Sequence, residues 1–122
     1  MKPARMPYRI ELPFPPSVNT YWRRGPRSTY LSKSGRAYKQ AVDCCVLRSS
    51  QELHPFTGRL AVEVELYPPD RRTRDVDNCS KAVLDSLGEA GVWKDDEQID
   101  DLRLIRRGIR KGGLCVVTVA EI

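Results

Sequence analysis

Histidine occurs once in these 122 residues, as His54, and no two of the four cysteines form a C-x-x-C pair. A zinc site built from those residue types has little to work with. Cys44 and Cys45 are adjacent, while Cys79 and Cys115 stand alone, a usage that suits reduced, mostly buried thiols. Long apolar runs are also missing, which excludes a helical membrane span. The opening stretch Met1-Lys2-Pro3-Ala4-Arg5-Met6-Pro7 lacks the apolar segment of a secretory signal, so the expected location is cytoplasmic. The length suits one domain over residues 1–122, with 1–6 as a flexible N-terminal extension. Such a chain buries roughly two-thirds of its unfolded surface, enough for a core without staples.

Charge is abundant and unevenly placed. Lysine and arginine total 21 against 16 acidic residues, for a net charge of +5. Arginines cluster at 23–27, 71–74 and 103–110, whereas five of the seven residues at 95–101 are acidic. Net charge alone hints weakly at an anionic partner. A basic chain with one acidic knot says more: basic surface to hold phosphates, and acids to hold a metal beside one of them.

Hydrophobic periodicity predicts four strands and two helices. Tyr8, Ile10 and Leu12 alternate with polar residues until Pro13, and Leu60, Val62, Val64 and Leu66 do the same until Pro68-Pro69, giving two strands with one buried face each. A third strand is expected over 102–109. A fourth, 114–120, is apolar on both faces and suits the interior of a sheet. Lys111-Gly112-Gly113 between them looks like a hairpin turn. Tyr38, Ala41, Val42, Cys45 and Val46 recur at helical spacing behind Ser34 as a cap. Ala82, Val83, Leu84, Leu87 and Ala90 mark a second helix over 78–90, with Gly91 to end it and Val92 to fold back on it. The order β-α-β-α-β-β predicts a compact α+β fold with helices packed on a mixed or mostly antiparallel sheet. Residues 13–33 are expected to be irregular, a length of loop that often marks function.

The central chemical signal is Asp70-Arg71-Arg72-Thr73-Arg74-Asp75-Val76-Asp77-Asn78. On an extended chain Asp75 and Asp77 project to one side and Val76 to the other, toward the core. Two such carboxylates repel unless a cation lies between them, and hard oxygen donors suit Mg²⁺ or Mn²⁺. Asp77 is equally placed to cap the second helix. A calcium loop fails, because its sixth and twelfth positions are Ser80 and Ser86, not glycine and glutamate. The second signal, Trp93-Lys94-Asp95-Asp96-Glu97-Gln98, is either a second metal-binding group or a solvated acidic turn. Lys81 falls one helical turn after Asp77, placed either to contact a reacting phosphate or to form an ion pair with Asp77 or Asp85.

Several separate motifs, in order, resemble the RusA family of Holliday junction resolvases. They are Leu12-Pro13-Phe14-Pro15-Pro16-Ser17-Val18-Asn19, the stretch from Pro69 to Asn78, Lys81-Ala82, Asp85-Ser86-Leu87, Ala90-Gly91-Val92-Trp93 running into Asp95-Asp96, and Lys111-Gly112-Gly113. The resemblance covers about Tyr8 to Glu121. It implies a RusA-like fold and a homodimer that uses Mg²⁺ to nick four-way DNA junctions symmetrically, in recombination and repair. It also implies Asp75, Asp77 and Asp96 as metal ligands and Lys81 as an essential lysine. Cys79 and Ser80 depart from the family pattern, and Tyr21 to Arg27 matches it only loosely.

On this reading Arg71, Arg72 and Arg74 grip phosphates beside the site, with Arg23, Arg24 and Arg27 as further DNA contacts. Phe14, Tyr21, Trp22 and Tyr30 are candidates for stacking on unpaired bases. No small-molecule substrate and no membrane partner are expected. The alternatives are a metal-dependent nuclease on flaps, single strands or RNA, and a non-catalytic DNA-binding module whose acids cap a helix.

Overall fold

The structure, a computed structural model, describes residues 6–26, 29–49 and 54–122. Arg27 and residues 1–5 of the expected N-terminal extension lie outside the described residues. The elements run β1 (Tyr8–Leu12), α1 (Val18–Tyr21), β2 (Trp22–Arg24), β3 (Thr29–Leu31), α2 (Lys33–Arg48), β4 (Leu60–Tyr67), α3 (Val76–Glu89), a 3₁₀ turn (Asp96–Gln98), β5 (Ile99–Arg106) and β6 (Leu114–Glu121). The expected α+β class holds, and the sheet is mixed. Among the described residues no helix is long and apolar enough to cross a membrane.

The main sheet has the order β1-β6-β4-β5. β6 pairs antiparallel with both β1 and β4, and β4 pairs parallel with β5. The doubly apolar β6 is therefore interior, as its composition predicts. Cross-strand partners share a face, so Tyr8, Val119 and Val62 form one row, Ile10, Val117 and Val64 a second, and Leu12, Cys115 and Leu66 a third. These nine residues are all buried. The apolar stripes of α2 (Tyr38, Val42, Val46) and α3 (Cys79, Ala82, Val83, Leu87) join them in one core. The opposite face holds the buried Val116 of β6 among polar residues joined by ion pairs such as Arg103 to Glu63 at 3.7 Å and Arg107 to Glu65 at 2.9 Å.

Four local expectations give way to tertiary structure. The turn at 111–113 exists, with Gly112 and Gly113 at φ +83° and +74°, but β5 and β6 do not pair. β5 instead docks parallel to β4 after the α3 crossover, a connection that only a long intervening element allows. β5 also begins at Ile99 rather than 102. Residues 13–33 are not structureless: α1 is a single turn, and β2 and β3 pair antiparallel. The cap of α2 is Ser32, not Ser34. Its hydroxyl accepts from the Gly35 amide at 2.9 Å and donates to carbonyls of α1. A Cβ on Gly35 would collide with the Tyr21 carbonyl oxygen, so glycine is required there by close approach. The thiols divide: Cys79 and Cys115 are buried, Cys45 is half-buried and Cys44 exposed, all free.

α3 ends as predicted. Gly91 has φ +91°, its amide donates to the Gly88 carbonyl at 3.1 Å, and the Val92 amide donates to the Leu87 carbonyl at 3.1 Å. This closes the helix with a left-handed cap and a buried apolar residue behind it. The cap aims the chain from Val92 into the acidic turn, so α3 carries a candidate group at each end.

Candidate active site

At the N-terminus of α3 the chain is extended through Asp75 (φ −85°, ψ 132°), which is the N-cap, and helical from Val76. The period-of-two argument therefore does not describe Asp75 and Asp77: one stands at the cap and the other in the first helical turn. Val76 does pack against the core as expected. Asp75 makes no side-chain cap hydrogen bond, so capping does not account for it, nor does Asp77 serve as the cap. Both carboxylates are exposed and make no hydrogen bond or ion pair with the described residues. Mutual repulsion between them is eased by the positive end of the helix dipole and by the arginines around them.

Those arginines come from two distant stretches. Arg71, Arg72, Arg74, Arg106 and Arg107 line one cleft of about 510 Å³ beside the cap. Each has a different degree of freedom. Arg71 is exposed and makes no ion pair with the described residues. Arg72 lies 3.8 Å from the Asp70 carboxylate. Arg74 is half-buried, bonded to Asp70 at 2.8 Å and placed 5.5 Å from the centre of the Phe14 ring. Its guanidinium shapes the site instead of reaching out of it. The Arg74 guanidinium also holds the Asp70 carboxyl below its ordinary range, with help from the Arg72 amide. Arg106 donates to the Arg74 carbonyl. Arg24 is exposed at the end of β2, and Arg23 lies in the same strand.

Lys81 sits one turn beyond Asp77, exposed, with its ammonium 3.3 Å from the Asp85 carboxylate. Of the two ion pairs open to it, the structure forms the one with Asp85. Burial raises the Asp85 carboxyl above its ordinary range, Lys81 opposes the rise, and Asp96 adds to it.

Asp96 lies toward the other end of α3. Its carboxylate accepts from the Trp93 indole N–H at 2.6 Å, and a Cβ on Gly88 would stand 3.1 Å from it. Asp85, Gly88, Glu89, Lys94, Asp95 and Asp96 line one cleft. Gly88 is eleven residues after Asp77, roughly 16 Å along the axis at about 1.5 Å per residue. Within one chain, then, the third aspartate does not join the first two, and among the described residues no three acidic, cysteine or histidine side chains cluster to hold a metal. Asp75 and Asp77 by themselves fit a small hard cation, which usually takes one or two carboxylates and keeps the rest of its shell for water and substrate phosphate.

The acidic knot is partly structural. Arg59 pairs with Glu97 at 3.0 Å and also with Asp100, which lowers the Asp100 carboxyl below its ordinary range. Buried Gln98 pins the turn. Its carbonyl accepts from the Lys94 and Asp95 amides at 2.9 and 2.8 Å. Its amide donates to the Phe56 and Gly58 carbonyls at 2.9 and 3.0 Å. Gln98 and Trp93 are positioning residues that sequence reasoning left unassigned. The signal was present, since Asp95 and Gln98 form a capping box. The stacking candidates also divide: Tyr21 is fully buried with its hydroxyl 3.1 Å from Ser86, Trp22 packs edge-on against it at 5.4 Å, Tyr30 is exposed, and Phe14 lines the cleft next to Asp75.

The chain is similar to known proteins over nearly its whole length. The family described as Endodeoxyribonuclease RusA matches residues 13–118. A protein of Enterobacteria phage HK97 named crossover junction endodeoxyribonuclease is 41% identical over 116 residues, 94% of this chain and 95% of that one. A Shigella sonnei protein of the same name is 37% identical over 114 residues, 93% of this chain and 94% of that one. A third, from Enterobacteria phage 82, is 38% identical over 114 residues, with the same two shares.

Proposed function

The chain belongs to the RusA family of endodeoxyribonucleases, and on that premise we propose that it resolves four-way DNA junctions by hydrolysing phosphodiester bonds with the aid of a divalent metal. The observation that carries the reading is a pair of carboxylates with no partner among the described residues, Asp75 and Asp77, at a helix N-terminus beside a cleft of five arginines. A helix cap needs neither the second acid nor the basic cleft, so a purely capping role leaves both without a purpose.

Asp75 and Asp77 are the residues that would hold the metal, Mg²⁺ by the hardness and small size of a site with so few protein oxygens. When bound, such an ion supplies positive charge to the phosphate and orients water for attack. The chain supplies the rest. Exposed Arg71 and Arg72 grip phosphates on either side of the scissile one, and Arg24 extends the track. The first-turn amides of α3 add partial positive charge toward the same phosphate. Lys81 swings from Asp85 toward the developing negative charge.

A homodimer accounts for Asp96. The residues Asp77, Lys81, Leu84 and Gly88 follow a four-three-four spacing and share one strip of α3. The N-terminal end of α3 lies beside the arginine cleft and its C-terminal end beside the acidic turn, so two copies laid antiparallel bring opposite charges together. In such a pair Asp77 faces Gly88 of the other copy, next to which Asp96 sits. Each of two composite sites then acts on one of two opposed strands of a junction with near two-fold symmetry.

The test is cleavage of a synthetic four-way junction beside a linear duplex, with and without Mg²⁺. Paired symmetric nicks in the junction alone, dependent on metal, are expected. Asp75→Asn should abolish cleavage by at least about 10³-fold, a loss of roughly 4 kcal/mol of transition-state stabilisation, while junction binding is kept or tightened. Mixing Asp75→Asn with Asp96→Asn chains should restore nicking, because one composite site of the mixed dimer is intact. Absence of any nick in the native protein under Mg²⁺ or Mn²⁺ refutes the proposal.

A further inference from the structure

A cleft of about 480 Å³ opens beside Asp75 and shares Arg72, Thr73 and Arg74 with the arginine cleft. Its volume leaves room for a small organic group. One wall is apolar: Phe14, Pro15 and Pro16. The Phe14 ring is fixed in place from two sides. A Cβ on Gly113 would stand 2.7 Å from the Phe14 Cβ and 3.4 Å from the Pro69 Cβ, so the glycine lets the backbone close against the stem of the ring. The Arg74 guanidinium, itself tied to Asp70, lies 5.5 Å from the ring centre.

The other wall is polar and includes Arg72 and Arg74, both tied to Asp70. The half-buried Asn78 carboxamide and the Thr73 hydroxyl line this cleft and make no hydrogen bond with the described residues. A carboxamide offers both a donor and an acceptor. Phosphate oxygens use only donors, whereas the edge of a nucleobase uses both.

We infer that this cleft receives one unstacked nucleobase of the strand being cut, next to the phosphate at Asp75, with Phe14 and the prolines against the ring and Asn78 reading its edge. The inference rests on the nuclease reading above. It also provides a source of selectivity: unpairing a base costs least where the duplex is already interrupted, so a branch point fills the cleft far more readily than a continuous duplex does.

The experiment places 2-aminopurine, whose fluorescence rises when it is unstacked, beside the crossover of a four-way junction in metal-free buffer. Binding of the native protein should brighten it severalfold. Four junctions differing only in that base should be cut by the native protein with rates spread roughly tenfold or more. Phe14→Leu keeps the packing on Gly113 but removes the aromatic face, and Asn78→Ala suits a helix. Both should still bind the junction through its phosphates, with brightening lost in Phe14→Leu and the spread of rates below about threefold in Asn78→Ala. Tight binding with no brightening, or an unchanged base preference in Asn78→Ala, overturns the inference while leaving the nuclease intact. Failure of the native protein to bind or cut any junction overturns both.

Discussion

Replacing Gln98 by alanine should destabilise the fold by about 2–4 kcal/mol, from four backbone hydrogen bonds lost at roughly 1 kcal/mol each. Burial sets where in that range the value falls. Gln98 is 7% exposed, and the Phe56 and Gly58 carbonyls it serves are the approach to β4, while the Lys94 and Asp95 amides begin the acidic turn. The two amides can turn to water more readily than the Phe56 carbonyl, so about 3 kcal/mol is the central expectation. Against a typical total of about 5–15 kcal/mol this is a large share, and at this chain length it corresponds to a melting point lower by roughly 10 °C. The assay is urea denaturation at constant slope together with thermal melting. Gln98→Glu sharpens the test, because a carboxylate facing two carbonyls is repelled by them and regains its donor only on protonation. That variant should therefore be more stable in acid than at neutral pH. A functional consequence accompanies the structural one: Asp96 rides on this turn, so nicking should fall more than the folded fraction does, at temperatures where the variant is still folded. A loss under about 1 kcal/mol for Gln98→Ala would refute the view that this side chain holds the turn.

Junction binding should weaken steeply with salt, and Arg71→Ala should lower the slope of log K against log salt by about 1, as read by anisotropy titrations at several ionic strengths; an unchanged slope removes Arg71 from the phosphate contacts. A thiol reagent at pH 8 should modify Cys44 first and leave Cys79 and Cys115 untouched until denaturant is added, since burial pushes the Cys115 thiol up to about 12; mass spectrometry of the labelled peptides decides this. Asp70 and Asp100 are held below their ordinary range by Arg74 and Arg59 respectively. Stability from these pairs is thus present above the ordinary aspartate range and lost as pH falls through the lowered values. Arg59→Met should flatten that acid limb of the melting-point profile, and an unaltered limb would show the pair to be inert.

How much of this was legible in the residues can be judged element by element. β4 announced itself through strict alternation, and β6 through apolar residues on both faces, because side-chain period reflects which faces are dry. The end of α3 was equally plain, since only glycine suits the left-handed cap at 91. The pairing of β5 was not legible. A glycine turn before β6 looks the same whether the strands on either side pair or one of them crosses the sheet. The small hairpin and single-turn helix between 13 and 33 escaped notice because three- and four-residue elements have no period to read, and Ser32, Tyr21 and Ser86 hold them by contacts distant in sequence.

For the site, the acids, the lysine and the arginines were all nameable from their local motifs, as side-chain chemistry is a property of the residue. Their arrangement was not. Whether Asp75 and Asp77 lie side by side depends on where the helix begins, and the backbone turns helical at Val76. Whether the 71–74 and 103–110 arginines meet depends on β5 lying next to β4. Whether Asp96 reaches the other two depends on the length of α3, which holds them roughly 16 Å apart along its axis. The sequence by itself determined the chemistry available and the elements with a strong period, because both are local. Only the tertiary structure decided which groups converge, because convergence follows from strand order and helix length, and those are settled by burial summed over the whole chain.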